Sequence, residues 1–266
     1  LAPFDWLPEG VAMLNNRGTH GDKAGEFAIP AHASSSRILA IISSDDVIRR
    51  FVTVPEGMPS IMVQERLMAQ SGLTGDIAVP DEGSILPDSY AFGKGEARED
   101  VLRRMQAAMR RTLAELWDKR DEGLVVKTPE QAVILASIVE KETGKPSERT
   151  MVAGLYSNRL RIGMPLQADP TIIYPITRGK PLGRRILQSE IRAVNDYNTY
   201  SMPGLPKYPI TNPGKASIEA VLHPAKTGAL YMVADGTGGH AFASTLAEHN
   251  ENVKKWFAIR RARGEI

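Results

Sequence analysis

The sequence predicts an α+β protein, a small module of alternating short strands and helices followed by a larger mixed α+β domain. Three observations carry this. The segment 21–80 holds two successive strand-then-helix units of about 25 residues each. The segment 81–266 holds long helical patterns, one of them almost wholly apolar, and closes with a hairpin pattern and a further helix. The first twenty residues, with Pro3, Pro8, Gly10 and Gly18, show neither period and are expected to be an irregular arm.

The elements follow in order. Glu26–Pro30 and Phe51–Gly57 read as strands, and 34–42 and 60–69 as the helices after them. Gly83 to Gly95 reads as a connecting loop. From Arg98 to Gly123 the apolar residues Val101, Leu102, Met105, Met109, Leu113 and Leu116 recur on one helical stripe. Thr128-Pro129-Glu130-Gln131 carries an N-cap, a proline at the first helical position and a capping-box glutamine, and Gly144 and Pro146 end that helix. Glu148–Arg161 is a further helix, closed by Gly163 and Pro165. From Pro165 to Pro213 the chain is rich in Pro, Gly, Tyr and Asn and is too long for a plain connection, which predicts an ordered functional loop. Leu230–Ala234 and His240–Ala243 flank Asp235–Gly239 as a β-hairpin, and Leu246–Arg263 is the closing helix.

Composition narrows the function. With 33 basic and 31 acidic residues the net charge is +2, so there is no basic excess to neutralise nucleic-acid phosphates. The absence of cysteine excludes disulfides, thiol nucleophiles and thiolate metal sites. His20, His32, His223, His240 and His249 form no ligand-spaced pair, so no metal is expected. There is no nucleophile elbow, and the Asp235–Gly239 turn lacks the Lys-Ser/Thr and following helix of a phosphate loop. No stretch of about 18 apolar residues is present to span a membrane. The chain begins at Leu1, which leaves room for a targeting signal or anchor upstream.

The apolar helix 128–143 carries two carboxylates near its end, Glu140 and Glu142. At 100° per residue Glu140 projects between Val133 and Ala136, and Glu142 between Leu135 and Ile138. An acid with apolar neighbours takes up a proton more readily, as a general acid must. A solvated or Arg-paired carboxylate is the alternative reading of the same spacing. Tyr197, Tyr200 and Tyr208 on a Pro/Gly-rich loop suit sugar stacking and equally suit a loop core.

An ordered set of motifs adds to this reading. Ala136-Ser137-Ile138-Val139-Glu140-Lys141-Glu142-Thr143 is followed by Glu148-Arg149, Asn158-Arg159-Leu160, Gly163-Met164-Pro165-Leu166-Gln167 and Asp169-Pro170-Thr171. Tyr197-Asn198-Thr199-Tyr200, Asn212-Pro213-Gly214, His223-Pro224-Ala225 and Gly238-Gly239-His240 come after them. Together they resemble the YceG-like endolytic murein transglycosylases of bacteria, over roughly residues 21–260. The resemblance implies a LysM-like module at 21–80 and a catalytic domain at 81–266. It implies cleavage of the β-1,4 bond between N-acetylmuramic acid and N-acetylglucosamine in nascent glycan strands, leaving 1,6-anhydro ends. Peptidoglycan strands would be the substrate and peptidoglycan synthases the partners. The location implied is the bacterial inner membrane, through an N-terminal anchor outside this chain, with the catalytic domain in the periplasm.

The family's catalytic glutamate is expected at Glu140, acting alone as acid and then base, with Gln167, Asp169, Asn198, Tyr200 and His240 binding substrate. Glu142 is expected to be structural, pairing with Arg149 or Arg159. No cofactor is expected: a pyridoxal-phosphate lyase would need a Schiff-base lysine in a phosphate pocket, and Lys141 faces the polar side of its helix. A non-catalytic glycan-binding module is the alternative.

Overall fold

The structure, a computed structural model, describes residues 25–44 and 48–266 together with the short strands at 5–6 and 11–14. The first elements are β1 (Asp5–Trp6), β2 (Val11–Leu14), β3 (Gly25–Ala28) and α1 (Ser35–Ile42). Then come β4 (Arg50–Thr53), α2 (Ser60–Met68), β5 (Leu73–Thr74), β6 (Ser89–Phe92), β7 (Glu96–Ala97) and α3 (Arg98–Asp118). The helical part follows: α4 (Pro129–Glu142), α5 (Arg149–Arg161), α6 (Pro170–Thr177), α7 (Gln188–Ile191) and α8 (Lys215–Leu222). The hairpin β8 (Tyr231–Ala234) and β9 (His240–Ala243) and helix α9 (Leu246–Ala262) close the chain. The class is α+β.

The chain divides into two compact units, both discontinuous in sequence. The first comprises Leu1–Thr53, Glu65–Ala78 and Ser89–Arg103. Its strands form three small sheets: antiparallel β1-β2-β3, antiparallel β4-β6 and parallel β5-β7. One expectation changes here. The stretch read as an irregular arm contributes β1, which pairs with β2, and β2, which pairs with β3, while its other residues lie outside the described ones. The strands of the two strand–helix units lie in different sheets, β3 beside β2 and β4 beside β6. Strand partners were chosen by long-range pairing, to which local propensity is blind. Within this unit the Arg98 guanidinium donates to four carbonyls, of Leu67, Met68, Gln70 and Gly75. That satisfies groups which a helix end leaves orphaned.

The second unit comprises Val54–Gln64, Val79–Asp88 and Arg104–Ile266. Helix α4 is its centre. Every residue from Ala132 to Val139 is buried, packed between α8 and α5. The start is set as the sequence predicts: Thr128 accepts from the Gln131 amide, and Gln131 reaches back to the Lys127 N–H, one residue before the N-cap. Ser137 sits inside the core without cost because its hydroxyl donates to the Ile134 carbonyl and accepts from the Ile210 amide. Asn212, fully buried, ties three distant segments of the unit together. Its amide donates to the Met58 carbonyl and Ser60 hydroxyl, and its oxygen accepts from the Ile85 N–H. The 165–213 stretch is ordered and contains α6 and α7. Among the described residues no helix is long and apolar enough to cross a membrane.

Candidate active site

Two residues apart on a helix means 200° apart around it, so Glu140 and Glu142 leave α4 on different sides. The Glu140 side chain is only 6% exposed. Its Oε2 accepts from the Gly214 N–H at 3.0 Å, at the N-terminus of α8, and its Oε1 lies 3.8 Å from the Arg149 guanidinium. Arg149 also holds Glu56 at 2.9 Å. The Glu140 contacts tie the end of α4 to the start of α8 and to α5. The tip of Glu140 thus meets donors.

Glu142 opens instead into a cleft of about 230 Å³. Tyr156 and Arg159 from α5, Gln167 and Asp169 before α6, Tyr200 from the long loop and His240 from the hairpin line it. Burial lifts the Glu142 carboxyl from 4.5 to about 7, opposed by a hydrogen bond with the Tyr156 hydroxyl, reinforced by the Asp169 charge and opposed again by Arg159. Its Oε1 is enclosed without a hydrogen-bond partner among the described residues. An acid of that strength is protonated in part of the molecules at neutral pH and can both give and take a proton.

The lining is held firmly. Arg159 donates from Nε to the Leu230 carbonyl (2.7 Å) and from Nη1 to the Leu166 carbonyl (2.7 Å), fixing the hairpin and the α6 loop to α5. The Tyr200 hydroxyl donates to Asp169 Oδ1 at 2.6 Å. Gln167 has φ +51°, a left-handed conformation that costs a non-glycine residue on the order of 1 kcal/mol. It is held there by its N–H on the Thr199 carbonyl, at 3.1 Å. His240 is anchored through Nδ1 to Glu148 Oε2 (2.9 Å), and its own N–H meets Glu148 Oε1 (3.0 Å). Burial by itself would raise the Glu148 carboxyl, but the two His240 bonds outweigh it and hold the group below its usual range.

Of the expected site residues, then, Gln167, Asp169, Tyr200 and His240 come together, and they do so around Glu142. Glu140 is not in that cleft. Asn198 is a loop tie: fully buried, it donates to the carbonyls of Glu190, Ile191 and Ala193 and accepts from the Tyr200 N–H. The expected pairing of Glu142 with an arginine reduces to a charge interaction with Arg159. Tyr156, Arg159 and Glu148 were not anticipated as site residues. The available signal was Tyr156 and Arg159 three apart on one face of a buried helix. A larger cleft of about 770 Å³, lined in part by Leu124, Lys127, Gln131 and Arg161, has no carboxylate in its lining and so no acid to offer. Among the described residues no cluster of three His, Asp or Glu could hold a metal.

Residues 8–255 match the YceG-like family. An endolytic murein transglycosylase of Bacillus subtilis is 33% identical over 187 residues, covering 70% of this chain and 50% of the relative. One from Streptococcus pneumoniae is 28% identical over 256 residues, covering 93% of this chain and 43% of the relative. The chain thus spans about half the length of the curated relatives it matches. The crystal structure of a YceG-like protein from Listeria monocytogenes superposes with a TM-score of 0.63 at 25% identity, covering 87% of this chain and 85% of that one.

Proposed function

Because the chain belongs to the YceG-like family, we propose that it is an endolytic lytic transglycosylase of peptidoglycan in which Glu142, rather than Glu140, is the acid/base. One observation carries the reading: a buried carboxyl raised to about 7 faces a cleft that gathers Gln167, Asp169, Tyr200 and His240. The relatives named endolytic murein transglycosylases support the substrate class.

The mechanism needs one carboxyl. An ordinary glycosidase uses two, one as acid and one as nucleophile or base. Here protonated Glu142 gives its proton to the glycosidic oxygen as the bond from C1 of N-acetylmuramic acid breaks. The 6-hydroxyl of the same sugar attacks C1, and the Glu142 carboxylate accepts the hydroxyl proton. The products are a free 4-hydroxyl on N-acetylglucosamine and a 1,6-anhydro end. No water is consumed and the acid is regenerated. Arg159 and the Tyr156 hydroxyl stabilise the carboxylate between the two transfers. The Asp169–Tyr200 pair and His240 hold sugar hydroxyls and the N-acetyl group in this reading, which their positions in the lining of the cleft support. In this reading residues 21–80 are a LysM-like module, residues 81–266 carry catalysis, and the enzyme works at the bacterial inner membrane, facing the periplasm, beside peptidoglycan synthases; the motifs shared with the family support that reading.

The test is mass spectrometry of peptidoglycan digested with purified variants. Glu142→Gln is expected to release no anhydro-muropeptides, and Glu140→Gln to release them within several-fold of the parent rate. Near-parental release by Glu142→Gln, with loss in Glu140→Gln, would return the acid to Glu140. Glycan binding with no product from the unaltered protein would favour the non-catalytic module.

A further inference from the structure

The three loop tyrosines divide between two places. Tyr200 belongs to the Glu142 cleft, whereas Tyr197 and Tyr208 line a second cleft of about 490 Å³ in the same unit, together with Tyr174, Glu82 and Arg178. That volume falls within the range of small-molecule sites. Tyr174 and Tyr197 pack with centroids 4.8 Å apart, and Tyr208 extends the row at 6.3 Å from Tyr197. Tyr174 and Tyr197 also pack on the hydrophobic core, which explains their presence without a ligand. Tyr208 does not: it is 50% exposed. The Lys207 ammonium lies over the Tyr208 ring, 5.4 Å from its centroid, and the remainder of this half-exposed ring at the end of the aromatic row is open to a further contact.

The acceptor beside the rings is fixed. Both oxygens of Glu82 accept from the Ser60 N–H at 3.0 Å, and Oε1 also lies 3.4 Å from the Tyr174 hydroxyl. A carboxyl has about four acceptor positions, so Glu82 keeps capacity for a further donor. Arg178, exposed and in the left-handed region at φ +57°, supplies a guanidinium on the same rim. Burial lifts the Glu82 carboxyl to about 7, opposed by Ser60, Tyr174 and Arg178.

Aromatic faces flanked by a fixed acceptor and a cationic donor match one chemistry well. A pyranose presents a face of C–H groups to a ring and a girdle of hydroxyl and amide groups to polar neighbours. The two clefts are also joined by rigid elements. Asp169, at the start of α6, lines the Glu142 cleft, and Tyr174 and Arg178, at its end, line the tyrosine cleft. Eight residues of helix span roughly 12 Å, the length scale of one disaccharide. The run Tyr197–Tyr200 likewise puts one tyrosine in each cleft. We propose that the Tyr174–Tyr197–Tyr208 cleft is a second saccharide site that binds an N-acetylated hexose of the same glycan strand, with Tyr208 as its stacking face. This rests on the reading of the protein as a glycan-cleaving enzyme, and it gives that enzyme a hold on the strand away from the bond it breaks.

The test uses the full chain and a β-1,4-linked N-acetylglucosamine hexasaccharide, titrated by calorimetry into the parent, Tyr208→Ala and Tyr208→Phe. Tyr208→Ala is expected to weaken binding about five- to tenfold, the order expected for one lost ring contact. Tyr208→Phe, which keeps the ring, is expected to bind as the parent. On glycan strands Tyr208→Ala is expected to raise KM with kcat unchanged, the mark of uniform binding. Unaltered affinity in a folded Tyr208→Ala, or equal losses in Ala and Phe variants, would overturn the proposal. The catalytic assignment fails separately, if Glu142→Gln still cleaves; hexasaccharide binding to Glu142→Gln remains sensitive to Tyr208 in either case.

Discussion

Glu140 and Glu142 leave the last turn of one helix and meet opposite surroundings: Glu140 accepts from the Gly214 N–H beside Arg149, and Glu142 lies enclosed against Tyr156. The difference yields distinct expectations for the two glutamines that replace them. Glu140→Gln keeps an acceptor for the Gly214 N–H and loses the charge near Arg149, which retains Glu56. A stability loss of about 1–2 kcal/mol is expected by urea unfolding, with cleavage retained. Glu142→Gln is expected to abolish cleavage while remaining folded.

The same pair predicts a pH signature. The folded protein holds a proton on Glu142 with a pKa of about 7, while the unfolded chain releases it near 4.5. Protonation therefore favours the folded state: this contribution is complete below about pH 4.5 and is lost as pH rises through about 7. Glu82 acts in the same direction over the same window. Urea unfolding at pH 5 and pH 8 is expected to show Glu142→Gln gaining about 2–3 kcal/mol on the parent between the two pH values. The activity of the parent is expected to fall above pH 7 as the acid is lost. A pH-independent gap would show that Glu142 ionises as it does in water.

Glu148 acts in the opposite sense. Its carboxyl is held low by the side-chain and backbone bonds from His240, against the cost of burial, so its contribution is present above its unfolded pKa and lost as pH falls through the folded one. Glu148→Ala leaves the His240 N–H and Nδ1 without their partner. A loss of about 2 kcal/mol is expected. Cleavage is expected to fall as the imidazole loses its orientation, and Glu148→Gln, which keeps an acceptor, is expected to recover part of it.

Gly154 on α5 tests packing. Alanine there would improve helix propensity by about 1 kcal/mol. Its methyl, however, would lie 2.5 Å from the Ala225 carbonyl oxygen, a backbone atom that cannot swing aside. Overpacking of this kind costs roughly 1–3 kcal/mol or more, so the clash wins. A net loss of about 1–2 kcal/mol in Gly154→Ala is expected in thermal or urea unfolding.

Some of this was legible in the chain. The capped, apolar α4, the amphipathic α3, the hairpin around Asp235–Gly239 and the closing helix rest on interactions within about four residues, which periodicity and capping report directly. The partners of the small sheets were not legible, because β1 and β2 join β3, and β4 joins β6, through contacts that no local pattern encodes.

The candidate site divides along the same line. The sequence by itself determined the family motifs, the presence of two carboxylates at the end of a buried helix, and four of the residues that meet one of them. Which carboxylate they meet was decided by the tertiary structure. Helical geometry sends Glu140 and Glu142 200° apart whatever surrounds them. Only the packing of α8 and Arg149 on one side, and of α5, the Gln167–Tyr200 loop and the hairpin on the other, makes one side a polar anchor and the other an enclosed cleft. Burial, and with it the strength of the acid, belongs to the assembled fold, because desolvation depends on every element that excludes water from the group.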